Sequence, residues 1–237
     1  VRVMVWDRDP AALSALLAES AGLPIAVAEC DISDRAQVHA RAREAGTIDL
    51  LVNNAGVVSG KTLLETSNEQ IERTFAVNTL SLFWTAKAFL PGMIERAHGH
   101  IVTISSAAGI IGVRGLADYS ASKFAAFGFD ESLRTELAHI GSPVRTTVVC
   151  PFFIDTGMFA GVRTRVPLLL PILKPDQVTR KIIAAVAKGK RRLIMPWFVR
   201  SVFLLRLLPV GFMDFMANLF GINHSMDHFT GRTGGKA

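Results

Sequence analysis

Ile101-Val-Thr-Ile-Ser-Ser-Ala-Ala-Gly109 is the stretch that decides the architecture. Four apolar or β-branched residues run straight into two hydroxyls and three small residues, with no polar alternation. A strand that is apolar on both faces has to be covered on both faces, which is the situation of a strand in a parallel sheet flanked by helices. The small and hydroxylic residues then fall at its carboxyl end, the edge at which open α/β sheets bind ligands.

The same grammar repeats in both directions. Upstream, Leu50–Asn53 reads as a strand ending in Asn53-Asn-Ala-Gly56, and Asn68–Arg96 as one long helical stretch. Downstream, a helix covers about Ala117–Ile140 and a strand Val144–Cys150. Further out, Val1–Trp6 and Ile25–Ala28 read as strands, and Leu193–Met195 as a sixth. Helices are expected from Pro10 to Ser20, with Asp9 as N-cap and Pro10 in first position, near Arg35–Ala45, and around Asp176–Lys188. Strands alternating with helices define an α/β fold, a doubly wound parallel sheet of Rossmann type. At 237 residues a single domain is expected, with a core over about 1–195 and an apolar extension and flexible tail over 196–237.

One piece of that architecture is missing from the sequence. No glycine-rich strand-to-helix turn, the usual cradle for a pyrophosphate, precedes Asp7. The first strand and its turn are therefore expected to be absent from this stretch rather than from the fold. The tail Thr230-Gly-Arg-Thr-Gly-Gly-Lys236 only imitates a phosphate loop, because it lacks the glycine spacing and the hydroxyl after the lysine.

Half of the residues are apolar and 19% are charged, which suits a globular protein with a large core. The two cysteines, Cys30 and Cys150, are too few for a disulfide framework and read as buried thiols in a reducing, cytoplasmic compartment. No uncharged apolar run reaches the ~20 residues of a spanning helix. The net charge of +6 is concentrated between Arg180 and Arg206, a segment without acids. A solvated face, an acidic membrane surface and nucleic acid all fit such a patch. Its interleaved aliphatics and phenylalanines favour a membrane surface over nucleic acid, and no nucleic-acid partner is expected. Over Arg191–Phe220 the mixture suggests a peripheral segment, with Arg200 and Arg206 reaching for head groups. His98 and His100 have no third ligand nearby, and no metal site is expected, including at His224 and His228.

The chemistry centres on the single tyrosine, Tyr119, with Lys123 four residues later. On a helix these positions share a face. A phenol titrates near pH 10, and a neighbouring ammonium stabilises the phenolate, bringing the pair towards usable acid/base chemistry. Ser106, at the carboxyl end of the deciding strand, is placed to hydrogen-bond a substrate oxygen that Tyr119 protonates. Asp7, at the end of the first strand, can accept both hydroxyls of an adenosine ribose and would repel a 2′-phosphate. That argues for NAD over NADP, although Arg8 beside it could meet a phosphate.

Taken together, Asn53-Asn-Ala-Gly56, Asn78, Ser106, Tyr119-Ser-Ala-Ser-Lys123 and part of Pro151–Thr156 resemble the short-chain dehydrogenase/reductase family, in the family's order and with its usual interval from Ser106 to Tyr119. The likeness is closest to the retinol and 17β-hydroxysteroid dehydrogenase branch. It implies a tetrad: Tyr119 as general acid/base, Lys123 lowering its pKa and holding the nicotinamide ribose, Ser106 orienting the substrate oxygen, and Asn78 supporting a water relay to Lys123. It also implies that Asn53, Ala55 and Gly56 pack by the adenosine half of the cofactor, with Asp31 and Ile32 near the adenine. Pro151, Ile154 and Thr156 are implied near the nicotinamide carboxamide, and Tyr119 joins Lys123 among the cofactor-binding residues. The family's Pro-Gly pair is here Pro151-Phe152. A homodimer or homotetramer is implied as well.

The apolar segment after Thr156, from Met158 and Phe159 through Val166–Leu173 and on to Phe220, reads as the wall of a pocket for a lipophilic alcohol or carbonyl: a steroid, a retinoid or a long-chain alcohol. It reads equally as completed core or subunit interface. The expected function is NAD(H)-dependent interconversion of an alcohol and its ketone or aldehyde. The competing expectation is a catalytically idle, cofactor-sensing or membrane-associated lipid-binding protein on the same fold.

Overall fold

The computed structural model describes residues 1–231. Arg232–Lys236 of the phosphate-loop imitation lie outside them. The elements follow the expected alternation: β1 (Val3–Asp7), α1 (Pro10–Glu19), β2 (Ile25–Glu29), α2 (Arg35–Ala45), β3 (Leu50–Asn53), α3 (Asn68–Phe75), α4 (Ser81–Glu95), β4 (His100–Ile104), α5 (Ala117–His139), β5 (Arg145–Pro151), α6 (Pro175–Ala187), β6 (Arg192–Met195), α7 (Ser201–Leu205) and α8 (Val210–Leu219).

All strand pairs are parallel, so within each sheet every strand presents its carboxyl end to the same edge. They form two pieces, β1-β2 and β3-β4-β5-β6. In the central strand β4, Ile101, Val102 and Thr103 have no exposure. Each fully buried aliphatic there stabilises the fold by roughly 1.5–3 kcal/mol. The layer over one face packs Ala86, Phe89 and Met93 of α4 against Leu51, Ile101, Leu133 and Leu137. Between β1 and β3 the ladder is interrupted. The two pieces are joined instead through helix packing and the Trp6–Phe89 ring pair, 5.7 Å apart. Leu50 and Val52 of β3 remain exposed on the face away from α4, while Leu51 between them is buried. The β1-to-α1 turn is Arg8-Asp9, with no glycine in it.

Helix starts follow their caps. Asp9 accepts from Ala11 N, Asp34 from Ala36 N and Gln37 N, and Ser67 with Gln70 closes a capping box; each such cap contributes about 1 kcal/mol. The single helix expected over Asn68–Arg96 is in fact interrupted: Ala76–Leu80 forms one widened π-helical turn between α3 and α4. Val77, Asn78 and Thr79 are buried within it. Turns of this kind recur at functional sites because the extra residue re-aims side chains.

Candidate active site

The site is assembled where β3, β4 and β5 end against the start of α5. After β4 the chain turns sharply through Ser105–Gly109 and lies directly on α5. A Cβ on Gly109 would come within 2.4 Å of Ser105 Oγ and 2.5 Å of the Lys123 carbonyl oxygen, so only glycine allows this approach. Ser105 Oγ donates to that same Lys123 carbonyl at 2.8 Å. The result places Ser106, Tyr119 and Lys123 on the wall of one cavity.

Tyr119 is 5% exposed. Burial pushes its phenol up to about 12, and the hydrogen bond with Ser106 pulls the other way. Lys123 is equally buried, and desolvation brings its ammonium down to about 8. The lowering of the phenol expected from the Tyr-x-x-x-Lys spacing is not found: burial dominates, and the group that pulls the phenol down is Ser106. Lys123 Nζ sits 5.7 Å from the centroid of the Tyr119 ring and donates to the Ile104 carbonyl at 2.9 Å. Ser106 Oγ accepts from Ala108 N at 3.1 Å and reaches the Pro151 carbonyl at 3.5 Å.

Asn78 is 1% exposed, and its amide is largely committed. Nδ2 donates to Val57 O at 2.9 Å and to Ser122 Oγ at 3.0 Å, and Oδ1 accepts from Val57 N at 2.8 Å. The amide thereby clamps the loop after β3 at both polar groups of Val57. Gly56 precedes that clamp. A Cβ there would lie 3.3 Å from Asn78 Oδ1 and 3.4 Å from Lys123 Nζ, so the bare glycine keeps open a space on which both groups converge.

The other expected cofactor residues follow the carboxyl ends of their own strands, and Asp7, Asp31 and Ile32 do so on the separate β1-β2 sheet. Asp7 ends β1 exposed, with Oδ1 accepting from Asp9 N at 3.0 Å. Asp31 follows β2, and its Oδ1 is engaged by Ser33 through the backbone N–H at 2.9 Å and the hydroxyl at 2.6 Å. Ile32 next to it is half-buried. Asn53 ends β3; its Oδ1 accepts from Thr85 Oγ1 at 2.8 Å, while its buried Nδ2 has no partner among the described residues. Ala55 is exposed in the loop beyond. Pro151 ends β5, and Ile154 and Thr156 line the cavity with it. At the departure from the family pattern, the Phe152 ring packs edge-on to Phe153 at 4.6 Å, and its N–H donates to Met195 O at 2.8 Å. Among the described residues no three His, Cys, Asp or Glu side chains converge as metal ligands do.

Away from the polar floor the cavity is apolar. Phe159 meets the Tyr119 ring edge-on at 5.6 Å and Phe153 at 5.0 Å. Val202 and Leu205 of α7 and Met213 and Met216 of α8 also line the cavity. Ser201 is the polar side chain of α7, and its hydroxyl is spent on the Phe198 carbonyl at 2.8 Å. Sequence reasoning missed Asp118, which is buried beside Tyr119 and holds Ser59 and Thr74. Its only signal was an acid in the first turn of α5.

The basic segment is also less free than its composition suggests. Arg192 is stacked between the Phe127 and Phe203 rings, at 4.9 and 5.0 Å, and pairs with Glu131. Arg206, expected to reach for head groups, turns inward to the Ile110 carbonyl at 3.0 Å and lies over Phe124. Arg200 is exposed.

A parallel α/β sheet whose carboxyl edge brings a serine, a tyrosine and a lysine into one apolar cavity defines a class of protein, and the family model for short chain dehydrogenases matches residues 1–167. The chain belongs to the short-chain dehydrogenase family. It is 46% identical over 209 residues to the short-chain dehydrogenase/reductase family 16C member 6 of Bos taurus, covering 86% of this chain and 66% of that protein. It is 43% identical over 239 residues to epidermal retinol dehydrogenase 2 of Mus musculus, covering 97% of this chain and 77% of that protein. Among solved structures it is similar to a short-chain dehydrogenase from Burkholderia cenocepacia in complex with NADP, with a TM-score of 0.77 and 26% identity, covering 91% of this chain and 85% of that one. It is also similar to a short-chain dehydrogenase/reductase from Burkholderia phymatum in complex with NAD, with a TM-score of 0.75 and 25% identity, covering 91% and 86%.

Proposed function

We propose that the protein interconverts a lipophilic alcohol and its aldehyde or ketone, with a nicotinamide dinucleotide as hydride partner. The observation that carries this is the convergence of Ser106, Tyr119 and Lys123 on the floor of an otherwise apolar cavity. A dinucleotide fits what the chain presents. Gly56 leaves a space between Asn78 Oδ1 and Lys123 Nζ, and Asn53 Nδ2 is a buried donor still to be satisfied. Asp7 and Asp31 stand at the carboxyl ends of the strands towards which the adenosine half would lie. Asn53, Ala55 and Gly56 would line its path, and Pro151, Ile154 and Thr156 the nicotinamide end. When bound, that cofactor accepts or delivers the hydride. Asp7 favours NAD, since its carboxylate opposes a 2′-phosphate.

The chain's own groups do the rest. With a phenol at about 12, Tyr119 carries its proton at neutral pH and is poised to give it to a carbonyl oxygen; in the oxidative direction it must be relieved of that proton first. Lys123 is the group beside it able to help, by stabilising the phenolate through charge. Ser106 holds the substrate oxygen so that the proton travels a short, fixed distance. The remaining acceptor capacity of Asn78 Oδ1 faces the same space as Lys123 Nζ, which suits a water relay between them. A buried oxygen without a partner costs about 1–3 kcal/mol. The side chains of the α7 and α8 walls offer no free donor, since Ser201 spends its proton on Phe198, so the cavity suits substrates with one oxygen function, such as a retinoid or long-chain alcohol, better than a steroid with a second carbonyl at its far end. The matching members named retinol dehydrogenases support that preference. Side-by-side kcat/KM values for an all-carbon-tailed primary alcohol and a dioxygenated steroid test it; a clear steroid preference would overturn it.

Trp197, Leu204, Leu207, Val210 and Phe215 are exposed around the outside of α7 and α8, with Arg200 among them, which fits peripheral contact with an acidic lipid surface. Among the described residues no helix is long and apolar enough to cross a membrane. Elsewhere, Phe83 and Lys87 of α4 and Phe129 and Leu133 of α5 line an open groove, which supports pairing of two copies through these helices.

A further inference from the structure

We propose that Asp118 is a positioning residue, holding the loop 54–60 in the shape that the cofactor side of the site requires. The inference rests on the site described above, but it concerns a group to which no role in that chemistry has been given. Asp118 is the second residue of α5 and is 5% exposed. A buried carboxylate is costly unless its oxygens are hydrogen-bonded, and both are. Oδ1 accepts from Ser59 Oγ at 2.8 Å, and Oδ2 lies 2.8 Å from Thr74 Oγ1, whose single proton is shared with the Gln70 carbonyl at 2.9 Å. No ion pair among the described residues involves it; the first turn of α5 favours its charge instead.

The two hydroxyls come from different parts of the chain, and each lies close in sequence to the site. Ser59 is three residues beyond Gly56, Thr74 is four before Asn78, and Asp118 immediately precedes Tyr119. One carboxylate therefore ties together the three segments that carry the open space, the amide clamp and the phenol. The loop has no regular structure between β3 and Lys61, so ordering it has an entropic cost. It is anchored at Val57 by Asn78 and at Ser59 by Asp118, and between them these anchors settle the backbone before any ligand arrives. A preformed wall binds more tightly than one that must be ordered on binding. Removing the second anchor should loosen residues 56–60 and weaken dinucleotide binding, while leaving the sheet and the Tyr119–Ser106 pairing in place.

Hydrogen exchange by mass spectrometry on the whole chain without cofactor tests this, comparing wild type, Asp118→Ala and Asp118→Asn. The expected result is at least tenfold faster exchange in peptides spanning 56–60 for Asp118→Ala, a smaller change for Asp118→Asn, and unchanged protection in β4 and β5. Unchanged exchange at 56–60, or a rise shared equally by α5 and β4, would overturn the proposal, the latter because it marks a purely structural role. If Asp118→Ala does not fold, Thr74→Val and Ser59→Ala serve in its place, each releasing one arm of the clamp. A titration with NAD completes the test: Ser59→Ala and Asp118→Ala should each raise Kd, and the double variant no further than the worse single one. Additive losses would contradict a shared clamp. Failure of wild type to bind NAD would count against the cofactor assignment, while the exchange result still decides the role of Asp118.

Discussion

Lys123 Nζ stands 5.7 Å from the centroid of the Tyr119 ring and gives a hydrogen bond to the Ile104 carbonyl, so the lysine is fixed by the sheet rather than by the phenol. Both groups are buried, and burial drives their pKa values apart, the phenol up to about 12 and the ammonium down to about 8. At neutral pH the phenol therefore keeps its proton, while the lysine holds its charge less firmly than it would in water. Lys123→Met should accordingly leave the fold intact at neutral pH while turnover falls by about 10²-fold or more, as expected when the group that stabilises a general base is removed. Circular dichroism beside initial rates checks both halves.

Gly56→Ala separates binding from stability. The backbone there needs no left-handed conformation, but the new methyl would occupy the space between Asn78 Oδ1 and Lys123 Nζ at 3.3 and 3.4 Å. Unfolding free energy should change by no more than about 0.5 kcal/mol, while the Kd for NAD rises about tenfold. Isothermal titration and urea denaturation on the same preparation give the two numbers.

Asp130 offers a pH test away from the site. It is 1% exposed, accepts from Thr146 Oγ1 at 3.3 Å, and leaves Oδ1 without a partner; burial pushes its carboxyl up to about 7. A carboxyl whose folded pKa is raised contributes most below its unfolded value of 3.8, and that contribution is lost as pH rises towards about 7. Asp130→Asn should therefore stabilise the protein at pH 8, by on the order of 1–3 kcal/mol, with the gain shrinking towards pH 4. Urea midpoints across that range check it, and a gain that grows on acidification would contradict it.

The platform around α7 and α8 makes a separate prediction. Wild type should co-float with vesicles containing acidic lipid, less so at high salt, and Leu204→Asp with Leu207→Asp should abolish flotation while the chain stays folded. Wild type remaining wholly in the aqueous fraction would remove membrane contact from the account.

Much of this was legible in the residues. The strands of a buried parallel sheet betray themselves as short apolar runs, and α2 was bounded correctly over Arg35–Ala45 because Asp34 caps its start and Gly46 ends it. The π-helical turn over Ala76–Leu80 was not legible: one extra residue in a turn needs neither glycine nor proline and leaves the apolar pattern almost undisturbed. The Tyr119–Lys123 spacing correctly placed both on one face, but spacing carries no information on burial, which dominates both pKa values. Asp118 looked like an ordinary first-turn acid, since its partners Ser59 and Thr74 are remote in sequence. Arg206 was misjudged for a similar reason: the Ile110 carbonyl that captures it lies almost a hundred residues away, and composition cannot show such a contact.

The most direct test is NADH formation, followed by absorbance, with a panel of lipophilic primary and secondary alcohols, wild type beside Tyr119→Phe. Wild type should turn over at least one alcohol with a single oxygen function. Tyr119→Phe should lose about 10²–10⁴-fold in turnover while still binding NAD. Measurable cofactor binding without turnover by wild type, with either NAD or NADP, would contradict this and point to an idle binding protein on a dehydrogenase fold.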